Sequence, residues 1–147
     1  MKSPYGPLLS LRELEEQQAE ARLAETLREA TTAEAEVTMS RTARDAWIHF
    51  YLDQPSGSVD ATGLGALLAR LEIGERDAAR RLTDAQHRVD EARDALLERR
   101  RQREAVETLH TDLLEQTARA LERRHQAELD EVGAKRLDAG GEPGDAR

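Results

Sequence analysis

Four histidines, His49, His87, His110 and His125, are the residues best suited to hold a metal or move a proton, and their spacing serves neither purpose. None forms an HExxH arrangement, and no cysteine is present to complete a zinc site. Gly63 and Gly65 lack the lysine and the preceding strand that a phosphate-cradling loop requires. The many carboxylates fall on solvated helix faces, where nothing raises a pKa for acid–base work. Two helices side by side enclose no water-free pocket. The expectation is therefore a chain with no catalytic residue, no metal and no cofactor.

What remains is the chemistry of recognition. Trp47, Phe50 and Tyr51 are, with Tyr5, all the aromatics in the chain. Trp47 and Tyr51 are four apart and share a helix face, with Phe50 offset from it. They either plug the end of a helical pair over Leu64, Leu67 and Leu68, or form a recognition patch, since aromatics dominate binding hot spots. A second group, Arg99, Arg100, Arg101 and Arg103, lies in the all-polar run ERRRQRE (98–104). It is either a solvated segment where a coiled coil changes register, or a grip for the acidic surface of a partner.

These groups must be carried by helices. Charged residues make up 35% of the 147 and aromatics 3%, a composition of Ala, Glu, Leu and Arg that suits long helices and not a thick globular core. From Ala66 to Arg136 there is no proline, and Leu71, Ala78, Ala85 and Ala92 recur every seven residues, continued by Val106, Leu113, Ala120 and Ala127. Leu68, Leu82, Val89 and Leu96 form a second series on the same seam, with Glu75 filling the remaining slot. This alternation of threes and fours is the coiled-coil pattern.

An earlier helix is expected to start between residues 7 and 11. Either Pro7 takes its first position, or Ser10 caps it with Glu13 closing a capping box and Leu9 and Leu14 as the staple. It runs to Leu52 without proline or glycine after Pro7. Leu9, Leu23, Ala30, Val37 and Tyr51 share one seven-residue series, with Leu27 and Ile48 at its partner positions and Glu34, Arg41 and Arg44 interrupting it. Ala33–Ser40 (AEAEVTMS) alternates like a strand. With no second strand to pair with, it is assigned to the helix.

Asp53–Gly65 (DQPSGSVDATGLG) is the one strong interruption, and Ser58, Asp60 or Thr62 would cap the returning helix. The fold class is thus all-α: an antiparallel two-helix coiled-coil hairpin with unequal arms, helix 8–52, loop 53–65 and helix 66–136. A tail of disorder-type composition follows at 138–147. If the arms zip from the loop, Leu9 lies opposite a position near residue 108. Leu109, Leu113, Leu114, Leu121, Leu129 and Val132 then have no intramolecular cover, which marks an interaction stripe.

Net charge is −8, with the excess acid in residues 1–60 and 105–147 and a slight basic excess in 61–104. Such a chain is repelled by phosphate backbones, so nucleic acid is not an expected partner. No apolar run approaches the length of a membrane span, so no direct membrane insertion is expected. Met1–Gln18 turns charged too early for a signal peptide, and the lack of cysteine fits a reducing cytosol.

Leu8–Leu27 (LLSLRELEEQQAEARLAETL), the proline/glycine loop and Arg123–Val132 (RRHQAELDEV) together resemble the FliJ family of flagellar type III export stalk proteins, which is related to the stalk proteins of virulence secretion systems. The resemblance covers roughly residues 8–136. It implies a non-catalytic cytoplasmic stalk, peripheral at the cytoplasmic face of the cell membrane. Its terminal end would bind the hexameric flagellar export ATPase, and its loop end the export gate protein or export chaperones. Carried onto this chain, the ATPase-binding residues are Leu9, Leu14, Leu109, Leu113, Leu121 and Leu129. The gate- or chaperone-binding residues are Trp47 and Tyr51. Ala127, where a basic residue is common, and the net acidity depart from the family pattern. The competing readings are a homo-oligomeric structural coiled coil joined through Leu109–Val132, and a chaperone or adaptor that holds clients at its aromatic end.

Overall fold

A computed structural model describes residues 3–55 and 61–140. Helix α1 is Tyr5–Leu52 and helix α2 is Ala61–Gly140, 48 and 80 residues long. They pack against each other as an antiparallel hairpin with unequal arms.

Helix α1 starts earlier than Pro7 because Ser3 and Pro4 make a better beginning. The Ser3 hydroxyl accepts the Tyr5 N–H at 3.1 Å, as an N-cap does, which leaves Pro4 at the first helical position where its missing N–H costs nothing. Pro7 removes one N–H further in, and the Ser3 carbonyl takes the Gly6 N–H at 3.3 Å instead. The strand-like stretch Ala33–Ser40 is helical throughout. Its Thr38 hydroxyl donates to the Glu34 carbonyl at 3.1 Å, the local hydrogen bond by which a mid-helix threonine satisfies itself.

The helix ends at Leu52, where the Asp53 N–H reaches the His49 carbonyl at 3.1 Å and the Gln54 N–H reaches that of Tyr51 at 3.2 Å. Ser58 and Asp60, two of the three cap candidates, lie outside the described residues, and Thr62 lies within α2. Helix α2 begins at Ala61, five residues ahead of expectation, and so includes Gly63 and Gly65. At its other end it includes Asp138, Ala139 and Gly140, the first residues of the stretch expected to be disordered. Nothing in that segment breaks a helix before the glycine pair; 141–147 lie outside the described residues.

Packing divides the chain into two units: the described residues up to Arg12 with those from Gln102 onward, and Glu13–Arg101. In the second, Ala30, Ala33, Ala85 and Val89 form the core, with Leu23 and Leu82 packed against it. Ala78 is fully buried, and Val37, Ala92 and Leu96 nearly so. The α2 seam is the one its heptads prescribe. The α1 seam is not: its second series is Thr26 and Ala33, three residues after Leu23 and Ala30 and not four. Leu27 and Ile48 are exposed in consequence. Thr26 is tolerated because its hydroxyl donates to the Leu23 carbonyl at 2.9 Å, so burial leaves it satisfied.

Gly74 tests how far propensity alone governs this helix. A Cβ built there meets nothing within 4 Å, so no contact requires glycine. Gly74→Ala is expected to stabilise the hairpin by ~1 kcal/mol, read as a Tm rise of a few degrees in a circular dichroism melt.

Candidate functional site

The arginine run finds its acidic surface on the chain itself. In the Glu13–Arg101 unit, Arg99 pairs with Glu15 at 3.1 Å, and Arg100 with Glu16 at 3.4 Å and Glu20 at 3.7 Å. Arg88 with Glu29 and Arg81 with Glu36 repeat the arrangement, arginine on α2 and glutamate on α1. The basic excess of 61–104 and the acidity of 1–60 are thus two halves of one interface. In each such pair the arginine is about half-exposed, and the pair contributes only ~0.2–1 kcal/mol.

One cluster has the opposite polarity, with arginine on α1 and glutamate on α2. Glu75 accepts from Arg44 at 2.6 Å and from Arg41 at 3.3 Å, with 19% of its side chain exposed. Glu75, which interrupts the heptad series of α2, and Arg41 and Arg44, which interrupt that of α1, therefore answer each other across the hairpin.

In the unit that combines the chain up to Arg12 with the residues from Gln102, the start of α1 is tied to the middle of α2 by polar contacts. Arg12 donates to Gln102 at 3.1 Å, and His110 Nδ1 lies 2.8 Å from the Ser3 hydroxyl. Leu9, half-buried, sits level with the part of α2 between those contacts. His110 is thus a tether for the start of α1, a role its sequence context did not signal. Among the described residues no group of His, Asp or Glu could hold a metal ion.

The six leucines singled out for partner binding are not equivalent. Leu9 and Leu113 are half-buried, whereas Leu109, Leu121 and Leu129 are exposed in the same unit. Leu14, also exposed, belongs to the Glu13–Arg101 unit. Leu114, Val132 and Leu137 add to the exposed apolar surface of α2. From Leu121 to Gly140 every residue but Gly133 is exposed.

Three of these residues, Leu114, Leu121 and Val132, also lie on a different face from the seam. The seam positions Val106, His110 and Leu113 lead on to Thr117, Ala120, Arg124, Ala127 and Glu131, too small or too polar to bury. Leu114, Leu121 and Val132 sit together about 100° round the helix, at 100° per residue. The apolar stripe is therefore a second face, distinct from the surface that α1 covers.

At the other end of α1, Trp47 and Phe50 form an edge-to-face pair with centroids 5.7 Å apart, and both are exposed. Ala43 and Ala46 complete a small apolar surface beside them. Tyr51 is half-buried, as are Leu64, Leu67 and Leu68. The aromatic partner of Trp47 is thus Phe50, one turn away, which face-sharing at a spacing of four did not indicate.

Two antiparallel helices joined by a graded set of ion pairs, with leucines exposed on α2 and an aromatic pair exposed on α1, define a coiled-coil hairpin. The chain belongs to the FliJ family: the family model described as "Flagellar FliJ protein" matches residues 1–141. No curated protein and no solved structure matches it. Family membership makes it a non-catalytic component of the flagellar protein export apparatus, and the family is a cytoplasmic one. No described helix is long and apolar enough to cross a membrane.

Proposed function

We propose that this chain is the stalk of the flagellar export apparatus, and that it binds the hexameric export ATPase through α2 beyond His110. The observation that carries the reading is the exposed stripe of Leu114, Leu121 and Val132, with Leu129 beside it and Leu109 exposed just ahead of it, in a chain of this family. Leu9 and Leu113 line the covered margin of that segment, and Leu14, on the other unit, is a separate candidate for the same partner. Trp47, with Phe50 and Tyr51, is the surface proposed for the export gate protein or export chaperones. Its exposed rings supply apolar area at little conformational cost. Attachment at the cytoplasmic face of the cell membrane follows through that gate contact, with no part of the chain inserted.

The decisive experiment is co-purification of the full chain with the export ATPase and measurement of ATP hydrolysis with and without it. Stimulation by a chain that is monomeric in light scattering supports the proposal. No binding and no stimulation overturns it. A stable dimer whose formation depends on Leu121 and Leu129 favours the homo-oligomer instead.

The aromatic surface is tested separately. Trp47→Ala with Phe50→Ala removes two exposed rings, so the melt is expected to move by no more than a degree or two while capture of the gate protein or of chaperones is lost. Retained capture would remove the assignment and leave ATPase binding untouched.

A further inference from the structure

The middle of the hairpin does not specify its own register. Along α2 the seam presents Ala78, Ala85 and Ala92, the same side chain at each heptad. The ion pairs repeat as well: Arg81 with Glu36 and Arg88 with Glu29 are displaced by seven residues on both helices. If α2 slid by one heptad towards a longer connection, Ala92 would take the place of Ala85, and Arg88 would exchange Glu29 for Glu36. The beginning of α2 can supply the slack, since Gly63 and Gly65 leave its first turns with low helix propensity. Each heptad of slip displaces α1 along α2 by about 10.5 Å at 1.5 Å per residue.

The Arg44–Glu75 pair does not repeat. After the same slip Leu82 would take the place of Glu75 against Arg44, and Glu75 would move to where Leu68 now stands. Glu75 would lose both arginines while Arg44 would keep only Asp45 of its own helix, at 3.3 Å, and stranding the partly buried carboxylate costs far more than an exposed ion pair returns. Arg99 and Arg100 would also lose their glutamates, and Arg99 would take the place of Ala92; the arginines, nearly half-exposed, can carry their charge out to water on long side chains, whereas Glu16, 13% exposed, adds to the cost of the slip.

We propose that Arg44 and Glu75, with Arg41 as a second donor, form a register lock that selects one alignment of α1 on α2 where the alanine seam of Ala78, Ala85 and Ala92 is itself nearly degenerate. It acts as a single buried polar residue does in other coiled coils, giving up stability for alignment. Because it fixes how far α1 extends along α2, it also fixes where the covered part of α2 ends.

The chain has no cysteine, so engineered pairs report alignment without interference. Ala30→Cys with Ala85→Cys, both in the core cluster, reports the observed register. Ala30→Cys with Ala92→Cys reports the slipped one. With Arg44 and Glu75 intact, oxidation is expected to link the first pair and to link the second at least about tenfold more slowly. In the R44L/E75L background the second pair should approach the rate of the first, while helicity and Tm are unchanged or higher. The single variant E75R, which sets like charges together, should also release the slipped link, and R44E/E75R should suppress it again. A slipped link that stays slow in both R44L/E75L and E75R, with helicity intact, would overturn the lock.

Discussion

Replacing Leu121 and Leu129 together with aspartate is expected to abolish productive binding of the export ATPase while leaving the hairpin as stable as before. Both side chains are more than half exposed, at 59% and 52%, so neither contributes to the folded core. The cost to the free chain is a loss of helix propensity of ~0.5 kcal/mol per site, in a segment that α1 does not cover. In a complex each leucine would bury a side chain worth ~1.5–3 kcal/mol, so losing two weakens the affinity more than ~100-fold. The measurement is a titration of ATPase activity against the variant, beside its circular dichroism melt. A variant that stimulates hydrolysis normally would place the contact elsewhere, with the half-buried Leu9 and Leu113 or the exposed Leu14 next in line. The face matters too. Aspartate at Ala120 or Ala127, on the exhausted seam, should cost much less binding if the stripe through Leu114, Leu121 and Val132 is the contact surface.

The second large effect concerns the fold. Ala78 is completely buried, at 0% exposed, on a seam of small side chains that brings the two helices close together. Ala78→Asp introduces a carboxylate with neither room nor partner, and the expected loss is roughly 3 kcal/mol or more. Against a total stability of about 5–15 kcal/mol for an ordinary domain, that is enough to melt the hairpin far below the parent's Tm. Ala95→Asp, the same change at an exposed position on the same helix, should cost little more than its helix propensity, ~0.5 kcal/mol. Equal melting of the two variants would mean that the alanine seam is not what joins the helices.

Much of this architecture is written locally. The absence of helix breakers in α1 beyond Pro7, the cluster DQPSGSVDATGLG and the seven-residue repeat of α2 are short-range signals, and together they dictate two helices and a reversal. The α2 seam through Ala78, Ala85, Val89, Ala92 and Leu96 could be read residue by residue because a regular helix converts spacing directly into direction. The exposed α2 leucines were legible for the same reason, since an arm of 80 residues cannot be covered by one of 48.

Other features depended on which residue meets which across the hairpin. The α1 seam runs through Thr26 and Ala33 because a helix so rich in alanine offers two nearly equal faces. Contact with α2 chose the face whose side chains are small enough for close approach, and Leu27 and Ile48 were left outside. Arg44 and Glu75 looked like interruptions while each was read along its own helix, and only their alignment made them a pair. The arginine run at 98–104 is the clearest case. Spacing alone left it as a solvated face or a grip for another protein's acid; Arg99 and Arg100 meet Glu15, Glu16 and Glu20 of the same chain, while Arg101 and Arg103 pair with glutamates of α2 itself. Sequence by itself determined the helices, their reversal and the seam of α2, because those follow from torsion preferences and periodicity within a few turns. Only the tertiary structure decided the α1 face and the partners of the charges, because those depend on residues far apart in the chain being brought level with one another.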